Sequence, residues 1–514
     1  MFRKIFAISI TMILMLVSLV PTAGAAPAKK DYVISTTAPL TAAQVDQLRA
    51  AGANITYVYK NFGGAALKLS PAEGVTVRAL PFVTYVEEDT DEELASIMPE
   101  AAPYSTLPQK YPYSLDLINA ENNTKYTGAG VWVAVLDAGF FPNWRDYFDE
   151  ESIRTDLATA FIGADGKAKY NQWDVGTSPH AMAVSATIIG YHLVDKPKEG
   201  GFADGGPLDY TGYLTGAAGD YYVPGVAPGA QIIPIRVCGP VYCKTSDVIA
   251  AQDYVIDLKL ANKDQPIVIN ESFGSRSFGP LKQAAIKRTI QAGVIMVAAA
   301  GNGRDRGMIF PAAYEPVISV GAGGWVGQWS RSHDKTWWLD NVPENGVNEV
   351  FVGDFSSRAF ENQYLDVVST GYQMLLPFPC PNLSSMNMGI CTGKAIPNSD
   401  QATPFQYIFG WGTSFSSPTI GGIVALMLEK KPGLNNSDAK FGDWDKPAFW
   451  GPGTLETILE GSATVIPPSG SVKIMMSDGS SYFPCWDHPG TPGCELDATG
   501  NGWVFVDDAL AAVP

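Results

Sequence analysis

Five short apolar runs, rich in Val and Ile, constrain the fold of this chain more than any other feature. They lie at residues 131–136, 232–237, 267–269, 294–299 and 317–320. Strands that are buried on both faces of a parallel sheet have this continuous pattern, without alternation of polar and apolar residues. Helical patterns at residues 246–260 and 281–292 separate some of the runs. The sequence therefore predicts an α/β fold, a mostly parallel sheet sandwiched by helices.

Two polar residues follow runs of this predicted sheet. Asp137 comes directly after the first run, and Asn302 follows the fourth. In open α/β sheets, ligands bind beyond the carboxyl ends of the strands, so both side chains are candidates for a functional site. Each residue also has an ordinary structural interpretation, Asp137 as a turn residue before Gly139 and Asn302 as a loop residue after Gly301.

The segment Gly412-Thr413-Ser414 leads into a long apolar stretch with helical spacing. We expect Ser414 at the start of this helix and Pro418 within the first turn, where N–H groups lack helical partners. The positive end of the helix dipole favours an alkoxide or a nearby oxyanion, so Ser414 is a candidate nucleophile. The alternative is that Ser414 only caps a core helix.

Histidine is scarce, with four residues in the whole chain. No His-Glu-x-x-His sequence occurs, which excludes that zinc metalloprotease motif. His180 alone opens a helical pattern of small and apolar residues, at 180–189. On its own, a histidine in this place is either a packed or capping residue or a catalytic one.

The N-terminal region has two parts of different character. Arg3 and Lys4, an apolar stretch and Ala23-Gly24-Ala25 form the pattern of a secretory signal peptide. We therefore expect residues 1–25 to direct export and to be removed. The next segment alternates strand and helix patterns and predicts a small α+β unit, with elements at 31–35, 41–51, 64–69 and 82–86. An acidic, unperiodic linker is expected from Glu87 to about Pro108, as in a cleavable pro-segment.

Charge and cysteine content narrow the environment and the partners. The formal net charge of −17 argues against nucleic acid or an anionic membrane surface as a partner. The six cysteines fall into three close pairs, and in an exported chain we expect local disulfides, Cys238–Cys243, Cys380–Cys391 and Cys485–Cys494. Zinc binding is the alternative, although no Cys-x-x-Cys sequence occurs.

Taken together, the motifs resemble the subtilase family of serine peptidases, in family order over most of the chain. Residues 133–139, the helix that starts at His180, and residues 412–418 resemble the family's Asp, His and Ser motifs. Similar matches between and after them lie at 225–230, 270–274, 299–302 and, as the family's last strand, 500–506. Residues 62–64 and 85–89 resemble the inhibitory propeptides of the same enzymes. The resemblance divides the chain into a signal peptide (1–25), an inhibitory propeptide with linker (26–100) and a catalytic domain (101–514).

The resemblance implies a self-processing secreted serine endopeptidase. Asp137, His180 and Ser414 would form the catalytic triad, and Asn302 would donate to the oxyanion. Ser272, Phe273 and Gly274 would form one backbone edge that binds substrate, and Ala299, Ala300 and Gly301 would form the other. Ile309 would line the specificity pocket. The implied partners are protein or peptide substrates and the chain's own propeptide, with no nucleic acid and no membrane after signal cleavage.

No cofactor is implied for the chemistry. The family often holds structural calcium, for which Asp204, Asp209 and Asp220 are candidate ligands here.

Two residues depart from the family pattern. Ala181 and Met182 follow His180, where the family usually has Gly and Thr. A displaced imidazole would give the alternative function, a catalytically degenerate subtilase that acts as a secreted binding protein. An acid-adapted sedolisin, with a carboxylate pair as base, is disfavoured because His180 is at the expected place.

Overall fold

The structure is a computed structural model, and it describes fourteen stretches of the chain. They are residues 28–94, 112–162, 169–176, 178–193, 221–239, 242–327, 342–343, 345–360, 362–377, 407–446, 450–466, 474–475, 481–482 and 497–514.

An N-terminal α+β unit is formed by residues 28–94. Its four antiparallel strands are ordered β2-β3-β1-β4, with two helices on the sheet. The elements are β1 (Lys30–Thr36), α1 (Ala42–Ala50), β2 (Asn54–Val58), β3 (Gly64–Leu69), α2 (Pro71–Arg78) and β4 (Val83–Glu88). Capping boxes start both helices, Thr41 with Gln44 and Ser70 with Glu73, so the predicted Thr41 cap is confirmed. The sequence does not predict β2.

A fifth strand follows where the sequence predicts an exposed linker. β4 runs through Glu87, and β5 (Asp91–Leu94) alternates exposed and buried side chains, with Glu92 and Leu94 buried. The prediction of an irregular linker is therefore wrong for residues 87–94. The acidic run misleads because the buried carboxylate has a buried cationic partner, which the local sequence does not reveal.

The second unit is built on an eight-stranded sheet, ordered β16-β15-β14-β12-β6-β10-β7 with β17 beside β15. All its pairings are parallel except that of β15 with β16. Its strands are β6 (Trp132–Asp137), β7 (Thr159–Ala160), β10 (Gln231–Arg236), β12 (Ile267–Glu271), β14 (Ile295–Ala299), β15 (Ile318–Trp325), β16 (Val350–Val352) and β17 (Val367–Thr370). Each of the five predicted runs overlaps one of these strands, so the predicted α/β sheet is confirmed.

Helices cover both faces of this sheet. Along β6, Val133 and Val135 belong to one buried cluster and Ala134 and Leu136 to the other. The helices of this unit are α3 (Tyr113–Asp116), α4 (His180–Ile189), α5 (Thr245–Ala261), α6 (Pro280–Gln291), α7 (Thr413–Lys430), α8 (Thr454–Ser462) and α9 (Val506–Ala512). The first cluster contains residues of α4 and α7, and the second those of α5 and α6. This burial on both faces explains the unbroken apolar runs.

The remaining strands are short and lie outside the large sheet. They are β8 (Gly190–Leu193), β9 (Tyr221–Pro224), β11 (Tyr242–Lys244), β13 (Phe273–Gly274), β18 (Met374–Pro377), β19 (Tyr407–Gly410), β20 (Ile474–Met475) and β21 (Ser481–Tyr482). Within the described stretches, no helix is long and apolar enough to cross a membrane. Residues 1–25, the predicted signal peptide, lie outside the described residues.

Two local predictions concern the C-terminal segment and the cysteines. The strand expected at 500–506 is wrong, because Trp503 forms only isolated bridges to Val368 and Thr464, and α9 begins at Val506. The Cys238–Cys243 disulfide is confirmed. The other two predicted pairs lie outside the described residues.

Candidate active site

A buried carboxylate–imidazole pair stands at the carboxyl end of the central strand β6. The Nδ1 atom of His180 lies 3.0 Å from Oδ1 and 2.8 Å from Oδ2 of Asp137. Both side chains are 1% exposed. The chain turns away after Asp137 through Gly139, whose φ is +77° and where a Cβ would meet the carbonyl of Trp173 at 2.5 Å. Held in this way, Asp137 fixes the imidazole orientation and favours the tautomer with hydrogen on Nδ1.

The His180 ring also lies close to Phe415, near the start of α7. Its Nε2 atom is buried and has no hydrogen-bond partner among the described residues. The ring centroid lies 6.1 Å from that of Phe415, the residue after Ser414. Ala181 and Met182 are both buried in α4, yet the contact between His180 and Asp137 is intact. The departure from the family motif therefore leaves this pair in place.

Ser414 lies in the first turn of α7, which begins at Thr413. Its Oγ donates a hydrogen bond to the carbonyl oxygen of Ser272 at 2.9 Å. In this arrangement, then, the Ser414 hydroxyl is directed at Ser272 and not at His180. Ser414 is 1% exposed.

Pro418 leaves the backbone carbonyl of Ser414 without a helical hydrogen bond. Pro418 is inside α7, past the first turn, so the prediction that it lies in the first turn is wrong. Lacking an N–H, it cannot donate to the carbonyl four residues earlier, that of Ser414. The Oγ of Ser272 donates to this carbonyl instead, at 2.8 Å.

A buried polar network supports Ser272, and the sequence does not predict its members. Asn270 Nδ2 donates to Ser272 Oγ at 2.9 Å, and Ser417 Oγ donates to Asn270 Oδ1 at 2.8 Å. All three residues are fully buried. The Asn270-Glu271-Ser272 motif and the second serine after Ser414 are the only local signals of this link between β12 and α7.

Asn302 is oriented by the residue before Ser414. Its Oδ1 accepts hydrogen bonds from Thr413 N at 3.0 Å and Thr413 Oγ1 at 2.9 Å, while Thr413 Oγ1 accepts one from Gly301 N at 3.1 Å. Two donors on Oδ1 assign the other amide atom, Nδ2, as a free donor. A Cβ at Gly412 would lie 3.2 Å from this Nδ2 atom. Asn302 is thus held at the first turn of α7, which carries Ser414.

β5 of the N-terminal unit runs between two short strands next to Ser272. It pairs antiparallel with β13, Leu94 opposite Phe273 and Glu93 opposite Gly274. On its other side it pairs antiparallel with β11, Glu92 opposite Cys243. The sequence predicts Ser272, Phe273 and Gly274 as one edge but does not predict β11 as the second.

The other predicted edge, Ala299–Gly301, has its backbone groups engaged elsewhere. Ala300 N donates to Val320 O, and Ile309 N donates to Ala300 O, both at 3.0 Å. Gly301 O accepts from Ser357 N at 2.8 Å. Substrate contact by this segment stays a prediction.

Ile309, the predicted pocket residue, lies between the two glycines of these segments. Its Cδ1 is 2.9 Å from the place of a Cβ on Gly274 and 3.2 Å from that on Gly301. Its side chain therefore fills the gap that two glycines leave.

Metal binding stays a prediction. Across the described stretches no group of three or more His, Cys, Asp or Glu side chains is placed to hold a metal ion. Asp204, Asp209 and Asp220, the candidate calcium ligands, lie outside the described residues.

The chain is similar to known proteins of one family. Residues 128–463 match the family model described as the Subtilase family. M-protease of Shouchella clausii is 24% identical over 379 residues, which cover 72% of this chain and 70% of that protein. Subtilisin E of Bacillus subtilis is 23% identical, and the match covers 81% of this chain and 85% of subtilisin E.

A solved structure has a similar fold. It is that of fervidolysin from Fervidobacterium pennivorans, described as a keratinolytic enzyme related to subtilisin, with a TM-score of 0.56 and 20% identity. The match covers 95% of this chain, and the chain spans 62% of the fervidolysin chain. Because the family model matches more than half of the residues, this chain belongs to the subtilase family.

Proposed function

We propose that the protein is a secreted serine endopeptidase that hydrolyses peptide bonds through Asp137, His180 and Ser414. The observation that carries the proposal is the buried Asp137–His180 pair, whose Nε2 is unpaired and whose ring lies 6.1 Å from that of Phe415, the residue after Ser414. The signal-peptide pattern of residues 1–25 supports secretion.

The chemistry assigns one role to each side chain. Ser414 Oγ leaves the Ser272 carbonyl and transfers its proton to His180 Nε2 as it attacks the scissile carbonyl carbon. Asp137 stabilises the imidazolium that forms. Asn302 Nδ2 and the Ser414 N–H donate to the oxyanion. The C–N bond then breaks as His180 protonates the leaving amine, and a water molecule, activated by the same imidazole, releases the acyl group from Ser414.

The N-terminal unit acts as an intramolecular inhibitor in this proposal. β5 occupies the place of an extended substrate between β13 and β11, where backbone pairing binds a peptide irrespective of its side chains. The strand ends at Leu94, opposite Phe273, one residue from the Ser272 carbonyl that Ser414 contacts. Self-cleavage would then fall shortly after Leu94, within the predicted linker.

Contacts with α5 hold the N-terminal unit in place. Asp89 accepts hydrogen bonds from Ser246 N at 3.0 Å and Ser246 Oγ at 2.6 Å, at the N-terminus of α5. In the middle of α5, the Asp253 carboxylate accepts hydrogen bonds from the backbone N–H groups of Lys60 and Asn61, at 2.8 and 2.9 Å. The helix dipole and the Ser246 hydrogen bonds favour the Asp89 carboxylate at this N-terminus, although burial raises its pKa.

Labelling with a fluorophosphonate tests the catalytic proposal. We expect the purified, processed protein to be labelled at Ser414, and His180→Ala, processed by added wild-type enzyme, to lose labelling because Oγ is no longer activated. A folded wild-type protein without label would overturn the proposal and favour the alternative of a degenerate, secreted binding protein.

Maturation supplies a second test. We expect Ser414→Ala to be secreted as a folded precursor that keeps the N-terminal unit, because Ala fits the buried helix start. Wild type should lose that unit by cleavage shortly after Leu94. Intact mass and N-terminal sequencing, in a host without other secreted proteases, measure both. Equal maturation of the two proteins would show that Ser414 does not perform the cut.

A further inference from the structure

One side chain of β5 is buried in an unusual way. Glu92 is 0% exposed, whereas its neighbours Asp91 and Glu93 point to the surface. The strand therefore inserts a carboxylate into the body of the α/β unit. An ionised carboxylate is costly to bury unless a cation and hydrogen bonds compensate it.

The pocket around Glu92 provides both kinds of compensation. Lys282 of α6, itself 3% exposed, places Nζ 2.7 Å from Glu92 Oε1. Thr245, at the start of α5, donates its hydroxyl to the same oxygen at 2.9 Å. Lys282 Nζ also donates to the carbonyl of Phe310 at 3.3 Å. We call this site, formed by Lys282, Thr245 and the Phe310 carbonyl, the Lys282 pocket.

Another buried acid, Glu271 at the end of β12, is a weak substitute for Glu92. Burial raises the pKa of Glu271 to about 7, where the charge of Glu92 adds to the effect and the hydrogen bond from Gln252 and the charge of Lys282 oppose it. Its Oε1 accepts from Gln252 Nε2 at 2.7 Å. Glu92, and not Glu271, is the carboxylate that forms the ion pair with Lys282.

We propose that the Lys282 pocket selects glutamate in substrates, at the residue that pairs opposite Cys243 as Glu92 does. This inference rests on the proposed function, in which β5 marks the path of a substrate. Once residues 28–94 leave, Lys282 loses its carboxylate partner and keeps the contact with the Phe310 carbonyl. A substrate glutamate restores the ion pair, whereas glutamine, alanine or lysine leaves the cation uncompensated. Aspartate is one methylene shorter and reaches Lys282 less well.

A peptide series tests the selectivity with the processed wild-type enzyme. The parent peptide has the sequence of residues 87–100, and two variants carry Glu92→Gln or Glu93→Gln, the same loss of charge on adjacent residues. We expect kcat/KM to fall by roughly tenfold or more for Glu92→Gln. For Glu93→Gln it should change by less than about twofold, because that side chain is exposed in β5.

Enzyme variants assign the effect to Lys282. In Lys282→Met, which keeps the apolar stem, the ratio of kcat/KM between parent and Glu92→Gln peptides should fall to about one. Lys287→Met, an exposed residue on the same helix, is the matched control and should keep the wild-type ratio. In the full chain, Glu92→Lys should slow self-processing, and adding Lys282→Glu should restore part of the rate.

The outcomes separate the inference from the proposed function. If the enzyme hydrolyses parent and Glu92→Gln peptides equally well, the glutamate selectivity is wrong and the peptidase stands. If none of the peptides is cut and self-processing does not depend on Ser414, both are wrong. The wild-type peptide comparison decides the matter even if Lys282→Met does not fold.

Discussion

A single hydroxyl, that of Thr413, joins two parts of the candidate site. It accepts a hydrogen bond from Gly301 N and donates one to Asn302 Oδ1. Thr413→Val keeps the shape and the backbone bond to Asn302 but loses both hydroxyl contacts. We expect kcat to fall by about tenfold with KM nearly unchanged, less than the roughly 10²–10³ loss for Asn302→Ala. Steady-state kinetics on one peptide measures this, and a change confined to KM would contradict the positioning role.

The side chain of Ile309 determines a predicted substrate preference. Its side chain fills the gap between Gly274 and Gly301, so we expect the enzyme to prefer small or medium apolar residues before the scissile bond. Ile309→Gly opens the gap and should shift the preference towards Phe and Tyr. A cleavage profile on a peptide library, recorded for both enzymes, checks the shift. Dominant cleavage after Phe or Arg by the wild type would contradict it.

Among the elements, the short strand β11 depends on a covalent constraint. It holds one side of β5, and the Cys238–Cys243 disulfide ties it to the segment after β10. The double variant Cys238→Ser/Cys243→Ser should lose about 2 kcal/mol of stability at most, because the bridge closes a short loop. We expect KM to rise more than kcat falls, since in the proposed function β11 pairs with the substrate backbone and carries no catalytic group. Kinetics and chemical denaturation of the same preparation separate the two effects.

A buried group of carboxyls links β17 to α8 and gives a pH prediction. Burial, and then the charge of Glu460, raises the pKa of Asp366 well above its usual range, and burial likewise raises the pKa of Glu456 and of Glu460. Groups with raised pKa stabilise the fold in acid, and this contribution is lost as pH rises through their folded-state pKa. Asp366→Asn keeps an oxygen for the Ser319 N–H and hydroxyl, which now contact Asp366 Oδ2. The variant should therefore lose less thermal stability than wild type as pH rises above the ordinary range of a carboxyl pKa, as calorimetry would show.

For the whole molecule, docking of the N-terminal unit should weaken as pH rises. Burial and Asp89 raise the pKa of Glu87 to about 7, with Lys282 opposing. Burial raises that of Asp247 to about 8, where Asp89 and Asp31 add to the effect and Tyr57 and Lys244 oppose it. Both carboxyls regain ordinary pKa values when exposed, so the docked state binds extra protons and loses stability from about pH 4 up to about pH 8.

The measurement is the dissociation of the cleaved unit. Size-exclusion chromatography of processed protein should show more release of residues 28–94 at about pH 8.5 than at about pH 5.5. Asp247→Asn keeps an acceptor for the Tyr57 hydroxyl and removes one titrating group, so it should flatten the dependence. Release that increases towards acid would contradict the prediction.

The sequence predicts the large sheet well because burial on both faces leaves a local pattern, and it predicts Asp137 and His180 because strand and helix ends locate them. It fails where a partner is distant in the chain. The local sequence predicts a solvated side chain for Glu92, because its partner Lys282 is far away in the chain. It also predicts a helical hydrogen bond to the Ser414 carbonyl, whereas Pro418 has no N–H and Ser272 supplies the donor. The sequence likewise does not predict the orientation of the Ser414 hydroxyl, because that hydroxyl donates to the backbone carbonyl of Ser272.

The Glu92–Lys282 pair constrains the evolution of this sequence. A mutation of either residue alone leaves a buried charge in the precursor, so it harms folding before it alters any choice of substrate. Substitutions at the two positions should therefore arise together among descendants, with apolar pairs or reversed charges replacing the present one. The preference of the cleft is thus inherited jointly with the segment that the proposed enzyme discards.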